Sequence, residues 1–379
     1  MRLTAEQVLI RDTARRFATE HMAPYIRAWE EQQSTPRTLF QDMAKLGFMG
    51  MTADPEFGGG GLDFVSYALV IEELAAIDGG ICNVMSANNS PVAAALDEYG
   101  TPQQKQDYLR RITSGEWLSS IHLTEPHTGS DAAAIRTRAV KDGDDFVING
   151  NKAFITAGSS ADLAMIVTVT DPDLGKRGIT TFITPTNNPG YQVVRKESKL
   201  GHRTVDTCEV RFDQMRVPAS DMLGERGHGL RIALANLSLG RIGVAAQATG
   251  GARAAFEAAK NYAHMRETFG KKINQHQSIA FKLAEMATQI EAARQLYLHA
   301  ADMHDQGLDC AKEASMAKLF ASEMAERVVS EAIQIHGGYG YLTDYGIEKI
   351  YRDVRVYQIY EGTSEVQKIM ISRLLDING

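Results

Sequence analysis

The sequence predicts an α+β protein in which helical and strand-forming segments occupy separate blocks of the chain. Apolar residues recur at helical spacing in the first third and again after residue 224. Between these blocks lie short runs of alternating apolar and polar residues with turn signals. We therefore expect an N-terminal all-α domain at 1–117, a small antiparallel β-domain at 118–222, and a C-terminal four-helix bundle at 223–379.

The N-terminal block begins with a predicted amphipathic helix, for which Thr4 is a plausible N-cap. A break follows at residues 54–61, which include four successive glycines. No strand leads into these glycines and no Lys-Ser/Thr pair follows them, so a turn between helices is favoured over a phosphate-binding loop. Helical spacing resumes at 65–76 and at 91–99.

The middle block is predicted to hold several short strands. Residues 146–148 and 153–155 read as two strands joined by a hairpin turn at Asn149-Gly150. Further strand-like runs are 163–169, 179–183, 191–194 and 207–212, and the domain is expected to close near residues 217–218.

The C-terminal block carries long apolar stripes at helical spacing, the clearest from Phe281 to Ala300. Similar stripes run through 231–263 and 311–335. Long helices with short connections indicate a bundle whose helices pack along most of their length.

Composition and charge exclude several classes of function. The chain of 379 residues has a net charge of −7 and no basic stripe, which argues against nucleic-acid and anionic-membrane partners. Its three cysteines form no CxxC pair, and its ten histidines form no HExxH motif, so we expect no disulfide and no metal site. No secretory core, transit peptide or membrane-length apolar run is evident, and we expect a cytoplasmic protein.

The residue that most directly indicates chemistry is Glu361, which stands between Tyr360 and a Gly-Thr-Ser turn. Apolar residues precede it, and a carboxyl that loses hydration has a raised pKa and can accept a proton near neutral pH. The alternative interpretation is an ordinary Glu near the cap of a helix that starts at Ser364.

Three motifs occurring together favour the catalytic interpretation: LTEPHTGSD at 123–131, RETFG at 266–270 and QIYEGTSEVQ at 358–367. In this order and spacing, the chain resembles the acyl-CoA dehydrogenase family of flavoproteins over essentially its whole length. The resemblance implies an acyl-CoA dehydrogenase-like fold, FAD as cofactor, and oxidation of an acyl-CoA to the trans-2-enoyl-CoA. Glu361 would remove the α-proton, the β-hydrogen would pass to flavin N5 as hydride, and an electron-transferring flavoprotein would receive the electrons.

The resemblance also assigns individual residues. FAD would be bound by Leu123, Thr124, Ser130, Phe154, Thr156, Arg266, Thr268, Phe269, Gln277, Gln334, Gly337, Gly338, Thr363 and Glu365. The substrate would be contacted by Ser130, Ser238, Arg241, Tyr360, Gly362 and Arg373. Of the FAD residues, those from Arg266 to Gly338 would reach the flavin of a neighbouring subunit, which implies a homotetramer built as a dimer of dimers.

Several positions depart from the family pattern. Phe154 stands where Trp is frequent, and alone it would more often be simple core. Ser238 replaces an Asp of several relatives, and His127 replaces a small residue and is assigned no role. Arg241 is expected to open a long helix, and Gly240 occupies the position where some relatives carry their catalytic Glu, which favours Glu361.

The predicted substrate is a short-chain acyl-CoA, because residues 85–90 and 239–243 look most like the butyryl-CoA dehydrogenase branch. Medium-chain, branched-chain and aryl thioesters remain alternatives. An acyl-CoA oxidase-like or monooxygenase-like relative would keep the fold and give electrons to oxygen. A protein of another class, a catalytically silent subunit that uses the fold for assembly, is opposed by the presence of Glu361 and the flavin motifs.

Overall fold

The computed structural model describes residues 1–375, apart from the side chain of Ser238. Helices precede and follow a central sheet, which confirms the predicted α+β class. The long C-terminal helices share one apolar core with the first N-terminal helices, and two further cores lie against the sheet. No helix in the described residues is long and apolar enough to cross a bilayer.

The N-terminal block begins at the predicted cap: the Thr4 hydroxyl accepts a hydrogen bond from the Gln7 N–H at 3.2 Å, and the Gln7 side chain accepts one from the Thr4 N–H at 3.0 Å. The glycines at 58–61 form the expected turn between helices and pack against residues 50–53. The last predicted helix of this block begins only at Ala94, because Ser90 has an extended backbone that interrupts the helical path. The helices are α1 (Ala5–Phe17), α2 (Ile26–Gln32), α3 (Arg37–Lys45), α4 (Phe64–Ala75), α5 (Gly79–Ala87), α6 (Ala94–Tyr99), α7 (Pro102–Gln104) and α8 (Arg110–Thr113).

The sheet, eight-stranded in the described part of the chain, is antiparallel except that the first two strands each pair in parallel with the fourth. Its strands are β1 (Ser119–His122), β2 (Arg138–Asp142), β3 (Asp145–Thr156), β4 (Leu163–Val169), β5 (Ile179–Pro185), β6 (Tyr191–Lys196), β7 (Thr207–Pro218) and β8 (Met222–Leu223). The order is β6-β7-β3-β2-β4-β5-β8, with β1 beside β4. This layout places the end of β1 and the end of β3 near each other, where the first motif begins.

The predicted hairpin at Asn149-Gly150 is wrong, since both residues lie inside the continuous strand β3. The tight turn occurs earlier, where Asp142 pairs with Asp145 across the end of β2. Gly150 is required for another reason: a Cβ there would come within 2.4 Å of the Thr137 hydroxyl. A register shift between β3 and β7 follows Ile148, so the Asn-Gly pair marks a bulge and a close approach of strands.

The C-terminal block consists of long helices that pack side by side, with the helix after the Glu361 turn lying against one of them. Its elements are α9 (Gly229–Met265), β9 (Glu267–Thr268), β10 (Lys271–Lys272), α10 (Gln277–Asp305), α11 (Ala311–His336), α12 (Ile347–Val354) and α13 (Ser364–Leu374). α13 begins at the expected residue. Arg241 does not open its helix as predicted, because α9 already starts at Gly229.

Candidate active site

Glu361 lies in a tight turn between a short 3-10 segment and α13. Both Glu361 (φ +54°) and Gly362 (φ +87°) have left-handed backbones, and for a residue with a side chain this conformation costs roughly 1–2 kcal/mol. Side chains from outside the turn hold it in place. Lys318 donates to the Gly362 carbonyl at 2.7 Å, and Gln367 donates to the carbonyls of Glu361 and Gly362 at 3.1 and 2.9 Å.

Glu361 is half-buried, and one oxygen of its carboxyl is removed from water. Its Oε2 atom is buried and accepts no hydrogen bond from the described residues. Burial raises the pKa of Glu361 to about 7, although the positive charges of Lys318 and Arg241 act in the opposite direction. A carboxylate with this pKa and a free oxygen can take a proton from a bound molecule near neutral pH.

Gly240 on α9 makes room for that carboxyl. A Cβ at this position would lie 2.4 Å from Glu361 Oε2 and 3.1 Å from its Cδ. Gly240 therefore matters in two ways. It leaves no second carboxylate at this position of α9, and its lack of a side chain leaves the space that the Glu361 carboxyl occupies.

Polar side chains with unused hydrogen-bonding capacity are buried around the same turn. The Arg241 guanidinium donates to Ser315 at 3.0 Å, but its Nε has no partner among the described residues. Gln247 accepts a hydrogen bond from the Tyr360 hydroxyl at 2.6 Å, and its Nε2 is likewise unpartnered there. Buried donors left without partners are costly, and they are typical of sites that a polar ligand completes.

The first motif forms a loop between β1 and β2 that is anchored by an ion pair that we did not predict. The carboxylate of Glu125 accepts from the Arg136 and Thr137 N–H groups at 2.7 and 2.9 Å and from Lys152 at 2.9 Å. Lys152, which is fully buried, also donates to the Leu123 carbonyl at 2.9 Å. Glu125 was visible inside the motif, but nothing in the sequence paired it with Lys152.

This loop joins the end of β3, where Phe154 and Thr156 lie. The Ala153 N–H donates to the Thr124 carbonyl at 2.9 Å, and Thr156 accepts from the Asn83 amide at 3.3 Å. Phe154 is 68% exposed and has a left-handed backbone (φ +59°), so the alternative interpretation as a core residue is wrong. An exposed aromatic ring on strained backbone is typical of a ligand-binding position.

A second cluster lies at the far end of the bundle. Arg266, Thr268, Gly337 and Gly338 line one cavity of about 450 Å³. A Cβ at either glycine would meet no atom within 4 Å, so the wall there is open. These four residues are among those that the sequence resemblance assigned to the FAD of a neighbouring subunit, and they line one cavity. Glu361 is not part of the lining.

The remaining predicted site residues are more dispersed. Phe269 is 97% exposed at the tip of the β9–β10 turn, where it and Gly270 both have positive φ. Gln277 opens α10 and Gln334 lies near the end of α11, both exposed and outside the cavity lining. Thr363 caps α13 by accepting from the Val366 N–H at 3.3 Å. Ser130, Glu365 and Arg373 are exposed, and the Ser238 side chain lies outside the described residues.

Comparison with known proteins assigns the whole chain to one family. Models of the acyl-CoA dehydrogenase N-terminal, middle and C-terminal domains match residues 4–116, 120–215 and 227–375. An "Acyl-CoA dehydrogenase" of Bacillus subtilis is 46% identical over 99% of both chains. A short-chain specific acyl-CoA dehydrogenase of Clostridium acetobutylicum is 41% identical over 98% of both chains.

Solved structures agree with this assignment. The structure of butyryl-CoA dehydrogenase from Megasphaera elsdenii superposes with a TM-score of 0.97, at 40% identity and 99% coverage of each chain. The protein is therefore a member of the acyl-CoA dehydrogenase family of FAD-dependent oxidoreductases.

Proposed function

We propose that this protein oxidises a short-chain acyl-CoA to the trans-2-enoyl-CoA, with Glu361 as the general base that removes the α-proton. The observation that carries the proposal is the buried, unpartnered Oε2 of Glu361, whose pKa burial raises to about 7. The α-proton of a thioester is weakly acidic, so a base of moderate strength succeeds only if the site also stabilises the developing enolate.

The backbone of the same turn provides a group for that purpose. The Glu361 N–H has no acceptor in the described part of the structure. It is free to donate to the thioester oxygen, and a fixed donor of this kind is worth roughly 3 kcal/mol in the transition state. The left-handed turn at Glu361 therefore carries both the proposed base, the carboxyl, and a hydrogen-bond donor, the backbone N–H.

The chain offers groups that fit FAD in two places. Phe154 presents an exposed aromatic face beside the Thr156 hydroxyl, which suits a planar isoalloxazine ring. Arg266 can pair with a diphosphate, and the open backbone at Gly337 and Gly338 allows close approach. When bound, FAD supplies the two-electron acceptor for the hydrogen that leaves Cβ.

The separation of these two groups supports the proposal that the flavin site is completed by a neighbouring copy. The cavity at Arg266 does not include any of the residues around Phe154 or Glu361. The nearly complete exposure of Phe269 also leaves an apolar ring for another chain to cover. We propose a homotetramer, which the mass in solution would test.

A short acyl chain is supported by the resemblance of residues 85–90 and 239–243 to butyryl-CoA dehydrogenases. It is supported further by the short-chain specific and butyryl-CoA-oxidising relatives described above. We expect the rates measured over C4 to C12 acyl-CoAs to be highest for the shortest acyl chains. A maximum at C8 or beyond would contradict the proposed short-chain preference.

An electron-transferring flavoprotein is the proposed acceptor. The oxidase-like alternative predicts rapid oxygen consumption without any added acceptor. We expect slow turnover with oxygen alone and fast turnover once an electron-transferring flavoprotein is present.

The experiment for the reaction itself adds butyryl-CoA to the anaerobic holoprotein and follows the visible absorbance of the flavin. We expect bleaching in the wild type and in the control Glu6→Gln, which changes an exposed carboxylate in α1. Glu361→Gln should bind FAD and remain unbleached. Bleaching of Glu361→Gln at the wild-type rate would exclude Glu361 as the base.

A further inference from the structure

The turn that carries Glu361 depends on side chains from other elements for its shape. Two successive left-handed residues, Glu361 and Gly362, leave their carbonyls outside any helix or strand. Lys318 of α11 and Gln367 of α13 donate three side-chain hydrogen bonds to those carbonyls, one from Lys318 and two from Gln367. Only one of these two side chains is charged.

Lys318 is an unusual anchor, because its side chain is fully buried and its hydrogen bond goes to a neutral carbonyl. A buried ammonium is costly unless a negative charge lies near it. The negative charges of Glu361 and of the exposed Glu365 favour the ammonium form of Lys318, whereas the positive charge of Arg241 opposes it. A carbonyl could be held equally well by a neutral donor, as Gln367 shows.

We infer that Lys318 is a positioning residue with two tasks: its hydrogen bond to the Gly362 carbonyl fixes the Glu361 turn, and its charge favours the ionised form of Glu361. Gln367 performs only the first task. The inference rests on the proposed role of Glu361 as the base.

The charges around Glu361 make the second task measurable. The carboxyl is influenced by Lys318 from α11 and Arg241 from α9. Tyr67 from α4 and the adjacent Tyr360 also face it, but burial raises their pKa values and keeps both neutral throughout the working range. Of the two cations, only Lys318 titrates near neutrality, since burial lowers its pKa to about 8.

The test measures the rate of anaerobic flavin reduction by butyryl-CoA as a function of pH in holoprotein variants of equal FAD content. Gln367→Met should lower the plateau rate and leave the midpoint of the pH profile in place. Lys318→Met should lower the plateau and also move the midpoint upward by about one pH unit, because an opposite charge close to a carboxyl lowers its pKa by about 1–3 pH units. Lys318→Arg, which keeps the charge, should retain the wild-type midpoint.

An unchanged midpoint in Lys318→Met, or an equal upward shift in Gln367→Met, would overturn the inference. If Lys318→Met does not fold, a shifted midpoint in Lys318→Arg would overturn it instead. Failure of the proposed function looks different: the wild type would not be reduced, or Glu361→Gln would be as fast as the wild type. A purely structural role for Lys318 would lower thermal stability without moving the pH profile.

Discussion

Replacing Gly240 by alanine should slow the reaction while leaving the protein at least as stable. Gly240 lies inside the long helix α9, where glycine is about 1 kcal/mol less favourable than alanine. The added methyl group would, however, stand 2.4 Å from Glu361 Oε2. Ordinary non-bonded contacts are about 3.5 Å, so the carboxyl must retreat by about 1 Å.

A displacement of that size at the reacting group is sufficient to reduce the rate by about 100-fold. Because the clash involves the end of a flexible side chain, the carboxyl can swing away without unfolding the turn. We therefore expect the rate of anaerobic flavin reduction by butyryl-CoA to fall about 100-fold, which corresponds to about 2.7 kcal/mol of activation free energy. The melting temperature should remain unchanged or rise.

The matched control is Gly251→Ala in the same helix, where the new Cβ would meet a Val354 methyl group at 3.1 Å and no atom of Glu361. This variant should keep the wild-type rate. Full activity in Gly240→Ala would refute the placement of the Glu361 carboxyl. Equal losses in both variants would show that the effect comes from the helix and not from the contact.

Three further predictions follow from the site. Above pH 7, Glu361→Gln should be more stable than the wild type by at most about 3 kcal/mol. The reason is that the carboxyl has a pKa of about 7 in the folded protein but ionises from about pH 4.5 in the unfolded chain, so rising pH favours the unfolded wild type. In thermal melts, the difference in stability should grow between pH 4.5 and 7 and vanish below pH 4.5. Arg266→Ala should release FAD during gel filtration, whereas Arg266→Lys should retain part of it, and full retention in both would remove Arg266 from the cofactor site. Lys152→Met should lower the free energy of unfolding by roughly 3–5 kcal/mol, because Glu125 is left as a buried charge without its partner. A decrease of less than about 1 kcal/mol in denaturant titration would contradict this prediction.

Local signals in the sequence were sufficient for the block order of helices and strands and for the start of α13. These features depend on residues that are close in the chain, such as Thr363 with Val366. The hairpin predicted at Asn149-Gly150 is wrong, because the glycine there is required by Thr137, which lies just before β2. A turn and a close approach of two chain segments use the same residue type.

The candidate site divides in the same way. Glu361 was recognisable from its own motif, and its raised pKa was expected from the apolar residues before it. Lys318 and Lys152 were not recognised, since each acts on a segment that lies far from it in sequence. The sequence around a lysine on a helix or a strand does not identify the distant group that the lysine contacts. That contact is set by the packing of the elements in three dimensions.

The central claim is that Glu361 removes a proton from the α-carbon, and an isotope effect tests it most directly. Butyryl-CoA carrying deuterium at the α-carbon would be mixed anaerobically with the holoprotein, and the rate of flavin reduction would be recorded from pH 5 to 9. We expect slower reduction of the deuterated substrate and a rate that rises with pH through about 7, as Glu361 loses its proton. Equal rates for both substrates, together with a flat pH profile, would contradict it.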